Sequence, residues 1–134
     1  MLVQVAVAIL QNDKGEILLG KRRQNPQDSC AGLWEFPGGK IEAGETPKQC
    51  LVRECLEELA VTVDNLSLYQ TEQHVYPERT VEVQFWLGYI VEGTPQTIVH
   101  DELRWFAPKE LAMLAYCPAN APVMKRLAND KGVD

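Results

Sequence analysis

The sequence predicts an α/β (α+β) fold, α/β/α-like, in which helices pack on both faces of a mixed β-sheet, and three observations carry that expectation. Residues 3–10 read as a strand with two apolar faces, and residues 46–59 read as a capped helix. The elements follow the order strand, strand, helix, strands, helices rather than the regular βαβα alternation of a doubly wound sheet. The 134 residues fit one domain, 1–134, and 46% apolar with 24% charged residues is a globular composition.

Val3, Val5, Val7 and Ile9 alternate with Gln4, Ala6, Ala8 and Leu10, which predicts a well-buried first strand. Asn12-Asp13-Lys14-Gly15 supplies turn chemistry before an apolar run over 16–22, so a hairpin-like connection is expected. Residues 23–32 read as a loop. A short strand over 33–36 is expected to end at Pro37-Gly38-Gly39, where the chain turns sharply. Thr46-Pro47-Lys48-Gln49 combines a Thr cap, proline at the first helical position and a Gln that closes a capping box. The helix it opens runs to about residue 59 and turns Leu51, Cys55 and Leu59 toward the core. Two long β-type runs, 66–76 and 80–91, flank Pro77-Glu78-Arg79 and read as an antiparallel pair. A short strand over 103–106 and helices over 108–115 and 122–129 complete the chain.

Composition narrows the chemistry. The longest unbroken apolar stretch, residues 5–10, falls short of the roughly 20 residues a membrane span needs. No charged leader precedes it, so a soluble cytoplasmic chain is expected. The net charge of −6 argues against an electrostatic grip on nucleic acid polymers, and a phosphate-bearing ligand then calls for a cation as intermediary. Cys30, Cys50, Cys55 and Cys117 form no CxxC pair, so reduced thiols are expected, with buried packing for Cys30, Cys50 and Cys117.

The informative segment is 39–61. On a helix, Glu57 lies about 60° to one side of Glu54 and Glu58 about 40° to the other, so three carboxylates share a face within about 6 Å of rise. Like charges at these spacings destabilise an isolated helix, whereas a hard divalent cation turns the repulsion into ligation. Acidic helix faces are commonly just solvated. Here the acids follow a Pro-Gly-Gly turn and a Gly44-Glu45 loop, where glycine lets backbone approach a ligand.

Gly39, five residues, Glu45, seven residues, then Arg53-Glu54-Cys55-Leu56-Glu57-Glu58-Leu59-Ala60-Val61 resembles the Nudix box, G-x5-E-x7-R-E-U-x-E-E-x-G-U with U aliphatic. Every charged position matches. Cys55 stands at an aliphatic site, where a buried thiol serves as a small hydrophobe. Ala60 replaces the late glycine, and a different helix end is expected there. Residues 33–42 and Pro118-Ala119-Asn120-Ala121-Pro122-Val123 are similar to the MutT subgroup, and the resemblance spans nearly the whole chain.

That resemblance implies the Nudix fold and a Mg²⁺-dependent nucleoside triphosphate pyrophosphohydrolase, with Mn²⁺ as a substitute. It implies 8-oxo-dGTP as preferred substrate, hence mutation avoidance in DNA replication and repair, by a monomer with no nucleic acid polymer or membrane partner. Metal ligation falls on Glu54, Glu57, Glu58 and the Gly39 carbonyl, and Arg53 orients the acids, with Glu45 as a candidate partner. The subgroup often carries a further acid where this chain has Val99; Asp101 and Glu102 are nearby substitutes or an ordinary acidic turn. Base recognition is implied for Arg23, Glu78, Arg79 and Asn120, whose amide offers a donor and an acceptor to a purine edge. Gly38 and Lys40 belong to the implied substrate site, although Lys40 is equally read as solvated. Phe36 and Tyr76 wall the base pocket or simply pack in the core. Alternatives within the same resemblance are a pyrophosphohydrolase for pyrimidine nucleotides such as 5-methyl-dCTP and a Nudix-fold binding module without catalysis.

Overall fold

A computed structural model describes residues 1–75 and 77–130. Among these described residues seven strands form one sheet: β1 (Leu2–Gln11), β2 (Ile17–Arg22), β3 (Trp34–Glu35), β4 (Gly38–Lys40), β5 (Thr62–Val75), β6 (Thr80–Glu92) and β7 (His100–Phe106). Two α-helices, α1 (Pro47–Leu59) and α2 (Ala121–Asn129), cover its faces. The sandwich follows from strand parity, since successive side chains point to opposite faces. Ala6, Ala8 and Leu10 of β1, with Leu18 of β2, pack against Leu51, Cys55 and Leu59 of α1. Ile9, Ile17 and Leu19 point the other way, into a core with Phe36, Phe85, Val123, Met124 and Leu127. No helix among the described residues is long and apolar enough to cross a membrane.

Helix α1 begins as its sequence dictates: the Thr46 hydroxyl accepts from the Gln49 N–H at 3.1 Å, and the Gln49 side chain returns a bond to the Thr46 N–H at 2.9 Å. The two long strands pair antiparallel over most of their length, with irregular register near Asn65, whose φ is 56°.

Several expectations are corrected. The hairpin-like connection expected at Asn12–Gly15 is present, with β1 and β2 antiparallel across it, but their ladder is limited to Gln11↔Ile17. Strand β1 instead runs parallel to β6 over its whole length, a pairing between segments far apart in sequence. The chain does not simply turn at Pro37-Gly38-Gly39: Gly38 and Gly39 enter a new strand against Val7 and Ala6. Gly38 has φ 149°, and a Cβ there would lie 2.2 Å from the Ala6 carbonyl oxygen, so only glycine permits this approach. The segment after Pro108 is a short 3-10 turn, Pro108–Met113, because the chain must straighten to bring Tyr116 beside Trp34 of β3. Ala60 takes the left-handed cap conformation after all, φ 59° and ψ 37°, its N–H bonded to the Leu56 carbonyl. Cys30 and Cys117 are neither reduced nor fully buried: they form a disulfide that joins the 23–33 loop to the segment preceding α2. Cys50 and Cys55 are buried free thiols, and burial pushes their pKa values up to about 11 and about 12.

Candidate active site

The site forms where α1 crosses β4. Gly39 lies directly beneath Glu54: a Cβ built on it would stand 2.8 Å from the carboxyl carbon. The Cys50 thiol sits 3.5 Å from the Gly39 carbonyl oxygen and fixes the helix against the strand. Ahead of the helix, the Glu45 carboxylate accepts from the Glu42 N–H at 3.0 Å and folds the 41–46 loop toward α1.

Arg53 organises the acids. Its Nε donates to Glu45 Oε2 at 2.7 Å and its Nη2 to Glu45 Oε1 at 3.0 Å, a two-point grip. Nη1 donates to Glu54 Oε1 at 2.7 Å and to Glu57 Oε2 at 3.4 Å. The hydrogen bonds from Arg53 lower the Glu45 pKa to about 2, and the same pairing raises that of Arg53. Glu57 is exposed, whereas Glu58 is partly buried and accepts from the Gly38 N–H at 3.4 Å. Burial first, and the adjoining Glu54 carboxyl second, push the Glu58 pKa well above the usual carboxylate range.

Among the described residues, no three His, Cys, Asp or Glu side chains are gathered into a ready-made cation cage. The reason is visible: Arg53 holds Glu54 and Glu57, while Glu58 turns to backbone. The donor set nevertheless suits a hard divalent cation, since two crowded carboxyls, a third nearby and the Gly39 carbonyl are all oxygen ligands.

Two clefts lie near this site, and only the first includes a residue of α1, Glu58. One, of ≈ 560 Å³, is lined by Arg22, Glu35, Gly38, Glu58, Val99 and His100 among others. The other, of ≈ 590 Å³, has Val3, Val5 and Val81 with Lys40 and Arg79. Arg22 and Asp28 border both. Arg22 is anchored there by Asp28 (Nε to Oδ2, 2.8 Å) and by Glu35 (Nη1 to Oε1, 2.7 Å).

The residues singled out from sequence divide between these places. Gly38 and Glu58 face the first cleft, while Lys40 and Arg79 face the second. Arg23 also borders the first cleft, but its Nη2 donates to the Ile98 carbonyl at 2.8 Å and its Nε lies 3.8 Å from Asp101. Glu102 pairs with Arg104, and neither Asp101 nor Glu102 lines either cleft. Glu78 is exposed on the β5–β6 connection. Phe36 is buried, its ring edge-on to Phe85 at 5.8 Å. Asn120 is buried just before α2 and makes no side-chain cap bond to it. Tyr76 lies outside the described residues.

Sequence reasoning missed Arg22, Glu35 and His100. The signal was strand parity: Leu18, Gly20 and Arg22 share the α1 side of β2, and Glu35 and His100 stand opposite Gly20 and Arg22.

Comparison with known proteins identifies the family. Residues 1–127 match the NUDIX domain. The chain is 37% identical to an 8-oxo-dGTP diphosphatase of Escherichia coli, over 93% of this chain and 95% of the relative. It is 35% identical to a CTP pyrophosphohydrolase of the same organism, over 92% and 90%. A solved MutT structure, from work on Aliivibrio salmonicida and Vibrio cholerae, superposes with a TM-score of 0.79 at 29% identity, covering 96% of this chain and 97% of the other. A box helix carrying its full set of acids, the matching sandwich and these relatives together place the chain in the Nudix hydrolase family, as a MutT-like pyrophosphohydrolase acting on phosphoric anhydrides.

Proposed function

We propose that this chain is a Mg²⁺-dependent nucleoside triphosphate pyrophosphohydrolase that prefers 8-oxo-dGTP and keeps oxidised guanine out of newly made DNA, acting as a cytoplasmic monomer. The observation that carries the reading is the Arg53-organised acid face of α1, set over Gly39 and opening onto a cleft bordered by Arg22. Glu54, Glu57, Glu58 and the Gly39 carbonyl would hold the divalent cation. Bound there, such an ion neutralises phosphate oxygens and lowers the pKa of the attacking water.

The chain's own groups do the rest. Arg53 keeps the acids oriented between Glu45 and the substrate. Arg22 and Gly38 border the cleft on its polyphosphate side and Lys40 serves phosphate from the second cleft, while Arg23, Glu78 and Arg79 serve base recognition. In the reaction the water oxygen bonds to phosphorus as its proton passes to one of the box glutamates, one anhydride P–O bond breaks, and monophosphate and pyrophosphate leave. The Asn120 amide is not spent on capping α2, which supports its use in reading the O6 and N7 edge of an oxidised guanine. Phe36 backs that region from the core.

A second reading has a specific support: the 35% identity to a CTP pyrophosphohydrolase favours a pyrimidine triphosphate. A panel of kcat/KM values decides between them. The proposal expects 8-oxo-dGTP to lead; dCTP, 5-methyl-dCTP or CTP outrunning it tenfold overturns the base preference. Glu57→Gln is expected to abolish pyrophosphate release without altering the circular dichroism spectrum. A wild-type protein inert on every nucleotide with Mg²⁺ or Mn²⁺ indicates a binding module instead.

A further inference from the structure

His100, the first residue of β7, is almost entirely enclosed: its side chain is 2% exposed. Its Nε2 lies 2.9 Å from Glu35 Oε2, and its Nδ1 is buried without a hydrogen-bond partner. An apolar ring would fill this space without burying a partnerless nitrogen, so packing alone does not account for an imidazole here. What the ring uniquely makes is one bond to Glu35, and the fold is shaped to allow it. Glu35 on β3 and His100 on β7 flank β2 and meet over Gly20, where a Cβ would stand 2.5 Å from His100 Cδ2.

Glu35 in turn spends its other oxygen on Arg22 Nη1 at 2.7 Å. Arg22 is held on its opposite edge by Asp28 Oδ2, through Nε at 2.8 Å and Nη2 at 2.7 Å. These contacts use three of the five guanidinium N–H donors and fix its plane, leaving two N–H groups at the boundary shared by the two clefts.

We propose that His100 is a positioning residue: by holding Glu35 across Gly20 it locks Arg22 in the orientation that presents its remaining N–H groups to the polyphosphate of the substrate. The polyphosphate in this statement rests on the function proposed above; the relay itself rests on the contacts just described. Without the imidazole, Glu35 keeps one anchor instead of two, and Arg22 swings about its Asp28 contact. The loss therefore falls on anion affinity more than on chemistry.

Inorganic pyrophosphate with Mg²⁺ is the probe, titrated calorimetrically into the whole protein alongside nucleotide kinetics. His100→Phe keeps the ring volume and removes the donor, and is expected to raise the Kd for pyrophosphate and the KM for nucleotide about tenfold, with kcat changed less than about threefold. His100→Gln, which offers an N–H near the position of Nε2, is expected to recover most of the loss. On an Arg22→Gln background, His100→Phe is expected to have no further effect, the signature of one relay. A full further loss on that background, or a lowered melting temperature with unchanged pyrophosphate affinity, overturns the proposal. Should His100→Phe fail to fold, Glu35→Gln carries the same expectations. A wild type that binds pyrophosphate yet hydrolyses no nucleotide refutes the hydrolase reading and leaves the relay measurable; a wild type that does not bind pyrophosphate refutes the relay.

Discussion

Gly39→Ala separates the placement of the site from the stability of the fold. The added Cβ would stand 2.8 Å from both the carboxyl carbon and Oε2 of Glu54, and 3.0 Å from Oε1. Ordinary contact begins at 3.4 Å, so the carboxylate must retreat by about 0.6 Å. The intruding atom meets the far end of a flexible side chain, and Gly39 pairs with Ala6 through backbone alone. The stability change is therefore expected to stay within about 1 kcal/mol, the more so because alanine restricts the unfolded chain. Activity is different, because a displacement on the ångström scale in a positioned group costs up to about 100-fold. A fall in kcat/KM of about 10- to 100-fold is expected, equivalent to about 1.4–2.7 kcal/mol of transition-state stabilisation. The assay is pyrophosphate release from 8-oxo-dGTP with Mg²⁺, beside a urea melt. A variant with kcat/KM within twofold of wild type refutes the claim that Glu54 must sit over Gly39. A collapse of the urea midpoint refutes the claim that the side chain, rather than the strand, absorbs the clash.

The remaining predictions concern stability. The Glu45 carboxyl titrates at about 2 when folded against an ordinary 4.5, chiefly because Arg53 donates to it. A depressed acid stabilises above its unfolded pKa, and that contribution fades as pH falls from about 4.5 through about 2. The stability gap between wild type and Glu45→Gln is thus expected to be constant near neutrality and to shrink in acid; urea melts giving the same gap at low and neutral pH contradict this. The Cys30–Cys117 bond closes a separation of 87 residues, for which loop entropy sets a ceiling of about 4–5 kcal/mol. Dithiothreitol is expected to lower the wild-type melting temperature to that of Cys117→Ser and to leave the variant unmoved. Insensitivity of the wild type would sink the disulfide.

What the sequence disclosed was whatever local chemistry dictates. The Thr46–Gln49 capping box, the proline behind it and the i, i+4 apolar stripe specify α1 without outside help, and the acid face comes with the helix. The two-sided apolar pattern of β1 likewise announced a central strand with helices on both sides. Contacts between distant segments were illegible. Nothing local marks β1 as the parallel partner of β6, nor Cys30 as a neighbour of Cys117. The Arg22-Arg23 pair shows the same limit on a smaller scale: the two differ by one position, and only the register of β2 against β3 and β7 says which faces Glu35. Ala60 misled because its αL geometry is imposed by the end of α1 and the start of β5 rather than by its own preference.

The single pairing at Gln11↔Ile17 leaves the sheet forked. One prong, β1 with β4, β5 and β6, carries the glutamates of α1 on its back; the other, β2 with β3 and β7, carries the Arg22 guanidinium. Under the function proposed above, a nucleotide gripped by both would work as a rivet across a seam that main-chain bonding leaves nearly open. Its tightness is set by how firmly each prong holds its own side chains.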